Sequence, residues 1–214
     1  MEVYLSDDEK LFLIAGIEDN IRNDGRTCAD FRQVVLEQGV LTGTNGSCRV
    51  QLGHTTDVLA GIKLELESFD KDSEKNTPPP FKFFVDFSAN ASSQFAGKGG
   101  DDYAEELSAA LTTAYSNSCP LLVTVSKIGT GNVIDCTPEE ETCIRSQLWV
   151  GLTPISNNDF EVTCVKQVGS GLLEIESVNE MISLSSGAVK GLHSALLHRL
   201  KTEEYRKPGH SFLL

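Results

Sequence analysis

Hydrophobic residues recur at two different spacings along this chain, and the spacing predicts where helices and strands lie. A spacing of three to four residues predicts helices over residues 7–22, 102–115 and 174–200. Alternation with polar residues, apolar-rich runs and turn signals predict eight strands, over residues 31–41, 48–52, 58–66, 81–87, 121–128, 132–135, 148–152 and 160–168. Four strands followed by a helix, twice over, is an α+β pattern with an internal pseudo-repeat.

The predicted helix starts carry recognisable capping residues. Ser6 and Glu9 form a capping box ahead of the first helix, and Asp102 with Glu105 does the same for the second. A glycine-bearing loop, residues 97–100, precedes that second helix. The apolar stripe expected on the first helix consists of Leu11, Ile14, Ile17 and Ile21. The stripe expected on the third consists of Val178, Met181, Ser185, Ala188, Leu192, Ala195 and Arg199, joined by Ile182, Val189 and Leu196.

Length and composition fit one globular domain. The chain has 214 residues, of which 40% are hydrophobic and 23% charged. A chain of this length buries enough surface to hold a core without disulfides or metal. We expect a single domain over residues 1–214, with an N-terminal half (1–118), a C-terminal half (119–200) and a polar tail (201–214).

The charge balance limits the classes of partner. Eighteen basic and 31 acidic residues give a formal net charge of −13. Affinity for nucleic acid comes from Lys and Arg that neutralise phosphates, so the charge argues against a free-standing nucleic-acid binder. It still allows a subunit that supplies a few basic residues to a larger assembly.

The cysteines and the chain start indicate the compartment. The six cysteines form no CxxC pair and do not interleave with the four histidines at zinc-like spacing, so we expect six reduced thiols and no metal. No secretory signal or membrane-spanning run of apolar residues stands out. We therefore expect an intracellular protein without membrane contact.

Candidate chemistry is sparse. Gly129 and Gly131 lack the third glycine and the helix of a dinucleotide site, and the glycine loop at 97–100 lacks the spacing of a nucleotide P-loop. That loop could still approach RNA phosphates from a helix start. Asp135 and Glu141 follow a predicted strand, with Glu139 and Glu140 between them. They could bind magnesium or serve acid–base chemistry, or they could form a solvated acidic loop.

Seven short segments, taken in order, resemble one known family. They are Asp24–Arg26, Asn45–Val50, Leu52–Thr55, Phe83–Asp86, Phe95–Asp102, the pair Lys127–Gly129 and Val133–Asp135, and Val165–Gly171. Each motif is weak alone. Their order over nearly the whole chain resembles the RNase PH-like subunits of the eukaryotic RNA exosome.

The resemblance implies an α+β RNase PH-like fold of the ribosomal protein S5 domain 2-like type, with two layers and a pseudo-repeat of antiparallel strands plus helix. It also implies a ring of six such subunits around a channel for single-stranded RNA, with S1/KH cap subunits above and a separate nuclease below. Such ring subunits are generally scaffolds without catalysis or cofactor. The implied processes are 3′-to-5′ RNA processing and decay, including rRNA maturation and mRNA turnover.

Two departures from the family bear on catalysis. Active members carry two aspartates near this strand end; Asp135 matches the first, and the second falls on Glu141, so we interpret the pair as vestigial. The family also has a long further stretch, holding its phosphate cradle, where Asn117–Pro120 joins the two sides directly. Without a cradle the attacking phosphate is not positioned. The chain resembles a shortened form, a splice variant or an imperfect gene model, with apolar faces left uncovered.

Three functions follow as expectations. The first is a non-catalytic exosome ring subunit in the nucleus, including the nucleolus, and in the cytoplasm. Its partners would be other ring subunits, S1/KH cap subunits and channelled RNA, with Lys98 and Arg145 as candidate RNA contacts. The second is an active phosphate-dependent 3′-to-5′ exoribonuclease, and the third is an unrelated α+β protein-binding module.

Overall fold

The computed structural model describes residues 3–66, 81–92, 95, 98–156 and 159–204. The chain divides into two compact units, one of residues 1–29 and 80–214 and the other of residues 30–79. Each unit contains one antiparallel sheet. The expected arrangement of two halves meeting at residues 118–119 within one domain stays a prediction.

The smaller unit is a three-stranded meander. Its strands are β1 (Val34–Gln38), β2 (Gly46–Leu52) and β3 (Thr56–Ile62), paired in chain order. The three strands predicted by alternation are confirmed, although β1 and β3 are shorter than expected. Directly paired residues point to the same face. The register therefore places mainly apolar side chains on one face, whereas the other face carries the charged residues together with Val35 and Leu59.

The apolar face of this sheet remains largely exposed. Val34 keeps 41% of its surface exposed, Val58 52% and Ile62 57%. On the opposite face Arg49 binds Asp57 through both carboxylate oxygens, at 2.9 Å from Nε to Oδ1 and 2.5 Å from Nη2 to Oδ2. Hydrogen bonds from Arg49 and Gln51 lower the pKa of the Asp57 carboxyl to about 2. Among the described residues, the sheet is therefore tied together by the Arg49–Asp57 pair on one face, while Val34, Val58 and Ile62 stay exposed on the other.

The larger unit holds a four-stranded antiparallel sheet in the order β5-β4-β6-β7. Its strands are β4 (Leu121–Ile128), β5 (Gly131–Ile134), β6 (Ser146–Ser156) and β7 (Asp159–Val168). All four were predicted from alternation and are confirmed within a few residues at each end. The pairing aligns six buried side chains on one face: Val123, Val125, Ile134, Leu148, Val150 and Leu152. This face forms the core of the unit.

Helices cover both faces of the four-stranded sheet. Helix α4 (Ile175–Glu204) packs on β4, β5 and β6, with fully buried Met181, Ser185 and Val189. Its predicted stripe is buried or half-buried as far as Leu196, except at Ala195, and Arg199 near the end of the helix is exposed.

Helix α1 (Asp7–Glu18) packs on the opposite face of the sheet. Leu13 and Ile17 form a buried cluster with Ile128 and Val133, which lie on the face away from Val125 by the register. The predicted stripe is therefore partly wrong: Leu11 is 63% exposed, and Ile21, also outside the stripe that packs, is 67% exposed. The helix turns residue 17 inward, and residue 11 then points away from the sheet.

The segment over residues 81–88 is extended but joins neither sheet, so its prediction as a fourth strand is wrong. It runs along helix α2 (Lys98–Ala114), where the backbone N–H of Phe83 donates to Thr112 Oγ1 at 3.3 Å and that of Val85 to Ser108 Oγ at 3.0 Å. The predicted alternation is present, with Phe83 and Val85 partly buried and their neighbours exposed. Hydroxyl groups of a helix take the place of a partner strand.

The prediction of a glycine-bearing loop before α2 is also partly wrong. Lys98, Gly99 and Gly100 lie in the first turn of the helix, which begins four residues before the predicted cap at Asp102; Gly97 lies outside the described residues. Gly100 fits a tight contact, because a Cβ there would lie 3.0 Å from the carbonyl oxygen of Phe95. Phe95 in turn stacks on Phe87, with ring centroids 4.4 Å apart. This close packing allows the helix to begin early.

All six cysteines are unpaired thiols, as expected. Cys136 and Cys143 are buried, the first after β5 and the second after the short helix α3 (Pro138–Glu141). Burial raises the pKa of the Cys136 thiol to about 11, so it stays protonated at neutral pH. These thiols act as small apolar side chains in the core.

The glycines of the larger unit offer a matched test of packing. A Cβ at Gly171 would lie 2.5 Å from the backbone oxygen of Arg145, whereas one at Gly191, in α4, meets nothing within 4 Å. We expect Gly171→Ala to destabilise the fold by about 1–3 kcal/mol through overpacking. Gly191→Ala should instead stabilise it by about 0.5–1 kcal/mol, because alanine favours helices. Urea unfolding followed by the fluorescence of Trp149 measures both; equal shifts would contradict the close approach at residue 171.

Candidate functional site

The end of helix α1 positions the first functional side chain. The helix stops because Asn20 adopts a left-handed conformation, with φ of 56°, and the Ile21 N–H then bonds to the Gly16 carbonyl at 2.7 Å. Gly16 is needed there, since a Cβ would lie 2.8 Å from the Ile21 oxygen. The Asn20 side chain also accepts a hydrogen bond from the Cys28 N–H at 2.9 Å. The loop so formed turns Arg22 into the protein.

The one-turn helix α3 positions the second functional side chain, that of Glu140. Thr137 caps α3, its hydroxyl accepting from the Glu140 N–H at 3.4 Å, while the Glu140 carboxylate accepts from the Thr137 N–H at 2.9 Å. Pro138 at the first helical position fits this start. The capping box fixes the Glu140 side chain over the helix start and keeps it buried, at 2% exposure.

Arg22 and Glu140 form a buried bidentate ion pair. Arg22 Nε lies 2.8 Å from Glu140 Oε1, and Nη2 lies 2.6 Å from Oε2. The remaining donors of the guanidinium bond to backbone oxygens, Nη1 to Ile134 at 3.2 Å and Nη2 to Asp135 at 2.9 Å. The pair thus ties the loop after α1, the end of β5 and helix α3 to one point.

The electrostatics of the pair favour its charged form. Burial lowers the pKa of the Arg22 guanidinium, but hydrogen bonding and charge from Glu140 outweigh burial and raise it above its usual value. Two parallel N–H···O bonds are the strongest geometry available to such a pair. The pair therefore acts as an internal structural tie.

Asp135 lies beside this pair in a constrained backbone. Its φ is 51°, in the left-handed region that few residues other than glycine adopt. Its carboxylate Oδ2 accepts from Arg26 Nη1 at 3.2 Å, and its side chain is only 8% exposed. Arg26 also binds Asp24, at 2.6 Å from Nε to Oδ2. Partial burial raises the pKa of the Asp24 carboxyl, but the hydrogen bonds from Arg26 outweigh it and lower the pKa.

The sequence-predicted site residues lie on separate elements. Asp135 follows β5 and faces Arg26, whereas Glu141 ends α3 and is exposed. Lys98 is exposed at the first residue of α2. Arg145 is exposed between α3 and β6, with its backbone N–H bonded to the Lys127 carbonyl at 3.1 Å. Their assignment as vestigial carboxylates and RNA contacts stays a prediction.

The carboxylates after β5 have limited capacity for a metal ion. Asp135 and Glu140 both bind guanidinium groups, which compete with any cation for the same oxygens. Within the described ranges, no group of three or more His, Cys, Asp or Glu side chains could hold a metal ion. The arrangement binds the fold together and leaves the side chains of Glu139 and Glu141 exposed.

Sequence reasoning missed the pairing of Arg22 with Glu140. The acidic run after β5 was open to interpretation as a solvated loop, and for Glu140 that interpretation is wrong, because this residue is buried. A signal was present: Thr137 followed three residues later by Glu140, with Pro138 between, is a capping box. The partner could not be found from sequence, since Arg22 lies 118 residues away.

The ion pair can be tested by removing one partner. We expect Glu140→Ala to destabilise the larger unit by about 3–5 kcal/mol, because it leaves Arg22 charged and buried without a counter-charge. The control is Glu139→Ala, one residue away and exposed, which should change stability by less than about 0.5 kcal/mol. Urea unfolding monitored at Trp149 gives both values.

A double variant separates an unpaired charge from a general packing defect. Arg22→Met combined with Glu140→Leu removes both charges, so it should be less destabilising than Glu140→Ala. Similar losses in Glu140→Ala and Glu139→Ala would contradict the role of the pair.

Comparisons with known proteins identify the family. Residues 30–199 match the RNase PH family, described as 3′ exoribonuclease family, domain 1. A Dictyostelium discoideum protein named as an exosome complex exonuclease, RRP42, is 37% identical over 118 residues, 53% of this chain and 36% of that protein. The Schizosaccharomyces pombe exosome complex component rrp42 is 40% identical over 53 residues, 25% of this chain and 18% of that protein.

A solved structure agrees on the fold. A chain of the Archaeoglobus fulgidus exosome with RNA bound to the active site superposes with a TM-score of 0.66 at 18% identity, covering 89% of this chain and 98% of that one. The matches to the curated relatives are shorter. They span 36% of the Dictyostelium protein and 18% of the Schizosaccharomyces pombe protein.

This chain belongs to the RNase PH, or 3′ exoribonuclease, family, because the family match covers well over half of it. Its RNase PH-like fold of helices and antiparallel sheets is confirmed. The resemblance to exosome subunits is also confirmed, and the curated relatives are of the kind called ribosomal RNA-processing protein 42. The alternative expectation of an unrelated α+β protein-binding module is therefore wrong. The absence of a central segment stays a prediction.

Proposed function

We propose that this chain is a non-catalytic subunit of the RNA exosome ring. In that role it supports 3′-to-5′ RNA processing and degradation, including rRNA maturation and mRNA turnover, by helping to channel RNA. Family membership over residues 30–199 and the curated relatives named as exosome components support membership of the complex.

One observation carries the non-catalytic role. Of the two positions that correspond to the aspartates of active relatives, Asp135 is engaged by arginine, with its Oδ2 3.2 Å from Arg26 Nη1. The other position holds Glu141 instead of aspartate. A magnesium ion would have to displace a guanidinium that is itself held in place by Asp24. The short connection between α2 and β4, residues 115–120, offers no further element for a phosphate cradle.

The proposed partners follow from a ring architecture. They are other RNase PH-like subunits, S1/KH cap subunits and single-stranded RNA that passes through the assembled channel. A net charge of −13 fits a scaffold whose RNA contacts are few and shared with its neighbours. The proposed location is the nucleus, including the nucleolus, and the cytoplasm, which imaging of a fluorescent fusion checks. In the part of the chain that the structure describes, no helix is long and apolar enough to cross a membrane.

Lys98 and Arg145 are the proposed RNA contacts. Both side chains are exposed, and Lys98 lies at the start of α2, where backbone N–H groups add positive potential. Both should appear as crosslink sites when an assembled ring is irradiated with bound RNA.

A second function is an active phosphate-dependent exoribonuclease. The Dictyostelium relative is named as an exonuclease, and Asp135 retains one of the two expected carboxylates. Phosphorolysis would release nucleoside diphosphates from the 3′ end of RNA, which a scaffold does not do. The two functions are therefore distinguished by their products.

Assembly tests membership of the ring. The full chain, co-expressed with RNase PH-like and S1/KH subunits of one exosome, should co-purify with them in fixed stoichiometry through size-exclusion chromatography. Glu140→Ala, which unties three segments of the larger unit, should reduce this recovery, whereas Glu139→Ala should not. Elution of the unmodified, folded chain apart from all the other subunits would contradict membership.

Catalysis is tested on the purified chain and on the assembled ring. Incubation with a 3′-unstructured RNA, magnesium and inorganic phosphate should yield no nucleoside diphosphate above background. The diagnostic variants are Asp135→Asn and the exposed control Glu139→Gln. Phosphate-dependent release that Asp135→Asn abolishes and Glu139→Gln retains would establish the enzyme and overturn the scaffold.

A further inference from the structure

A cavity of about 340 Å³ opens between the start of α1 and the start of α3. Its lining combines apolar and acidic side chains: Leu5, Phe12 and Leu13 with Asp8, Glu9 and Glu139. All six belong to the larger unit. The size is at the lower end of the range in which proteins bind small molecules or anchoring side chains.

The apolar part of the cavity is built on the core. Leu13 is 7% exposed and belongs to the buried cluster under α1, so it forms a fixed floor. Phe12 is 68% exposed, although it lines the same cavity. Exposed aromatic rings beside a rigid apolar floor are typical of positions that anchor a partner.

Of the three carboxylates at the cavity, one caps a helix and the other two are exposed. Glu9 caps α1 by accepting from the Ser6 N–H and hydroxyl, both at 2.8 Å, and these bonds lower the pKa of its carboxyl. Asp8 and Glu139 are exposed, and no hydrogen bond or ion pair within the described residues engages their side chains. Two carboxylates are thus available at the cavity, in addition to the charge of Glu9.

We propose that this cavity docks a segment of a partner protein in which a bulky apolar side chain is flanked by arginine or lysine. The apolar side chain packs on Leu13 and against Phe12, and the flanking cations bind Asp8 and Glu139. The negative rim selects against RNA, because phosphates would approach three carboxylates. This docking site goes beyond ring membership, since it specifies the chemistry of the segment that binds.

Binding is measured with the full chain and a defined probe. The probe is a fluorescein-labelled peptide with a Leu-Phe pair flanked by two arginines on each side, followed by fluorescence anisotropy at physiological salt. A second peptide keeps the four arginines but replaces Leu-Phe with Ser-Ser. The Leu-Phe peptide should bind roughly tenfold more tightly, which corresponds to one buried anchor. Equal affinities, or no binding by the Leu-Phe peptide at millimolar protein, would overturn the proposal.

The apolar contact has a matched pair of variants. Phe12 lines the cavity, whereas Leu11 does not, yet the two are adjacent in α1 and similarly exposed at 68% and 63%. Phe12→Ala should weaken binding of the Leu-Phe peptide roughly tenfold. Leu11→Ala should leave it unchanged. Because both side chains are mostly exposed, neither substitution should unfold the protein, and equal effects would contradict the site.

The charged contact has a control of equal net charge. Asp8→Asn with Glu139→Gln removes two charges at the cavity, and Asp86→Asn with Glu105→Gln removes two exposed charges elsewhere. The first pair should weaken binding roughly fivefold to tenfold, and the second less than twofold. Equal weakening by both pairs would mean that the peptide responds to overall charge alone, and it would overturn the docking site.

Discussion

The larger unit depends on one buried contact, the bidentate pair of Arg22 and Glu140. Three segments that are far apart in sequence end at this point: the loop after α1, the end of β5 and helix α3. Burying two charges costs free energy, and only good geometry with every donor satisfied offsets that cost. The guanidinium meets this condition because its remaining donors bond to backbone oxygens, so the pair fixes both the loop and Asp135 beside it.

The two sheets differ in how far their apolar side chains are buried. In the larger unit α1 and α4 cover opposite faces, and the central residues Val125 and Val150 are completely buried. In the smaller unit the apolar face keeps side chains such as Val58 and Ile62 more than half exposed. A half-buried amphipathic sheet gains stability from whatever covers it. A shortened chain and assembly with a partner both agree with this exposed face.

The sequence predicted most of the strands because alternation depends only on which face is buried. The strand prediction was wrong for the segment over residues 81–87, where side-chain hydroxyls of a helix take the place of a neighbouring strand's backbone. Phe83 and Val85 alternate as in a strand, but their N–H groups bond to hydroxyls of α2, and alternation cannot reveal what lies at the edge. For the site, Asp135 was found as a strand-end carboxylate. The pairing of Glu140 with Arg22 depends on tertiary contact over 118 residues, which no local pattern encodes.

The hydroxyl contacts of α2 have a consequence for association. The hydroxyls of Ser108 and Thr112 each accept a hydrogen bond from the segment over residues 81–88. Each also donates to a carbonyl four residues back in the helix, at 2.7 Å and 2.8 Å. Each hydroxyl therefore acts as both donor and acceptor. The backbone N–H groups of Phe83 and Val85 are satisfied in this way. Exposed segments with alternating apolar residues are prone to pair with other chains. Lys82 and Asp86 flank the exposed Phe84, and Lys82 Nζ lies 5.2 Å from the ring centre. Charges on either side of an exposed aromatic ring act as gatekeepers against edge-to-edge aggregation.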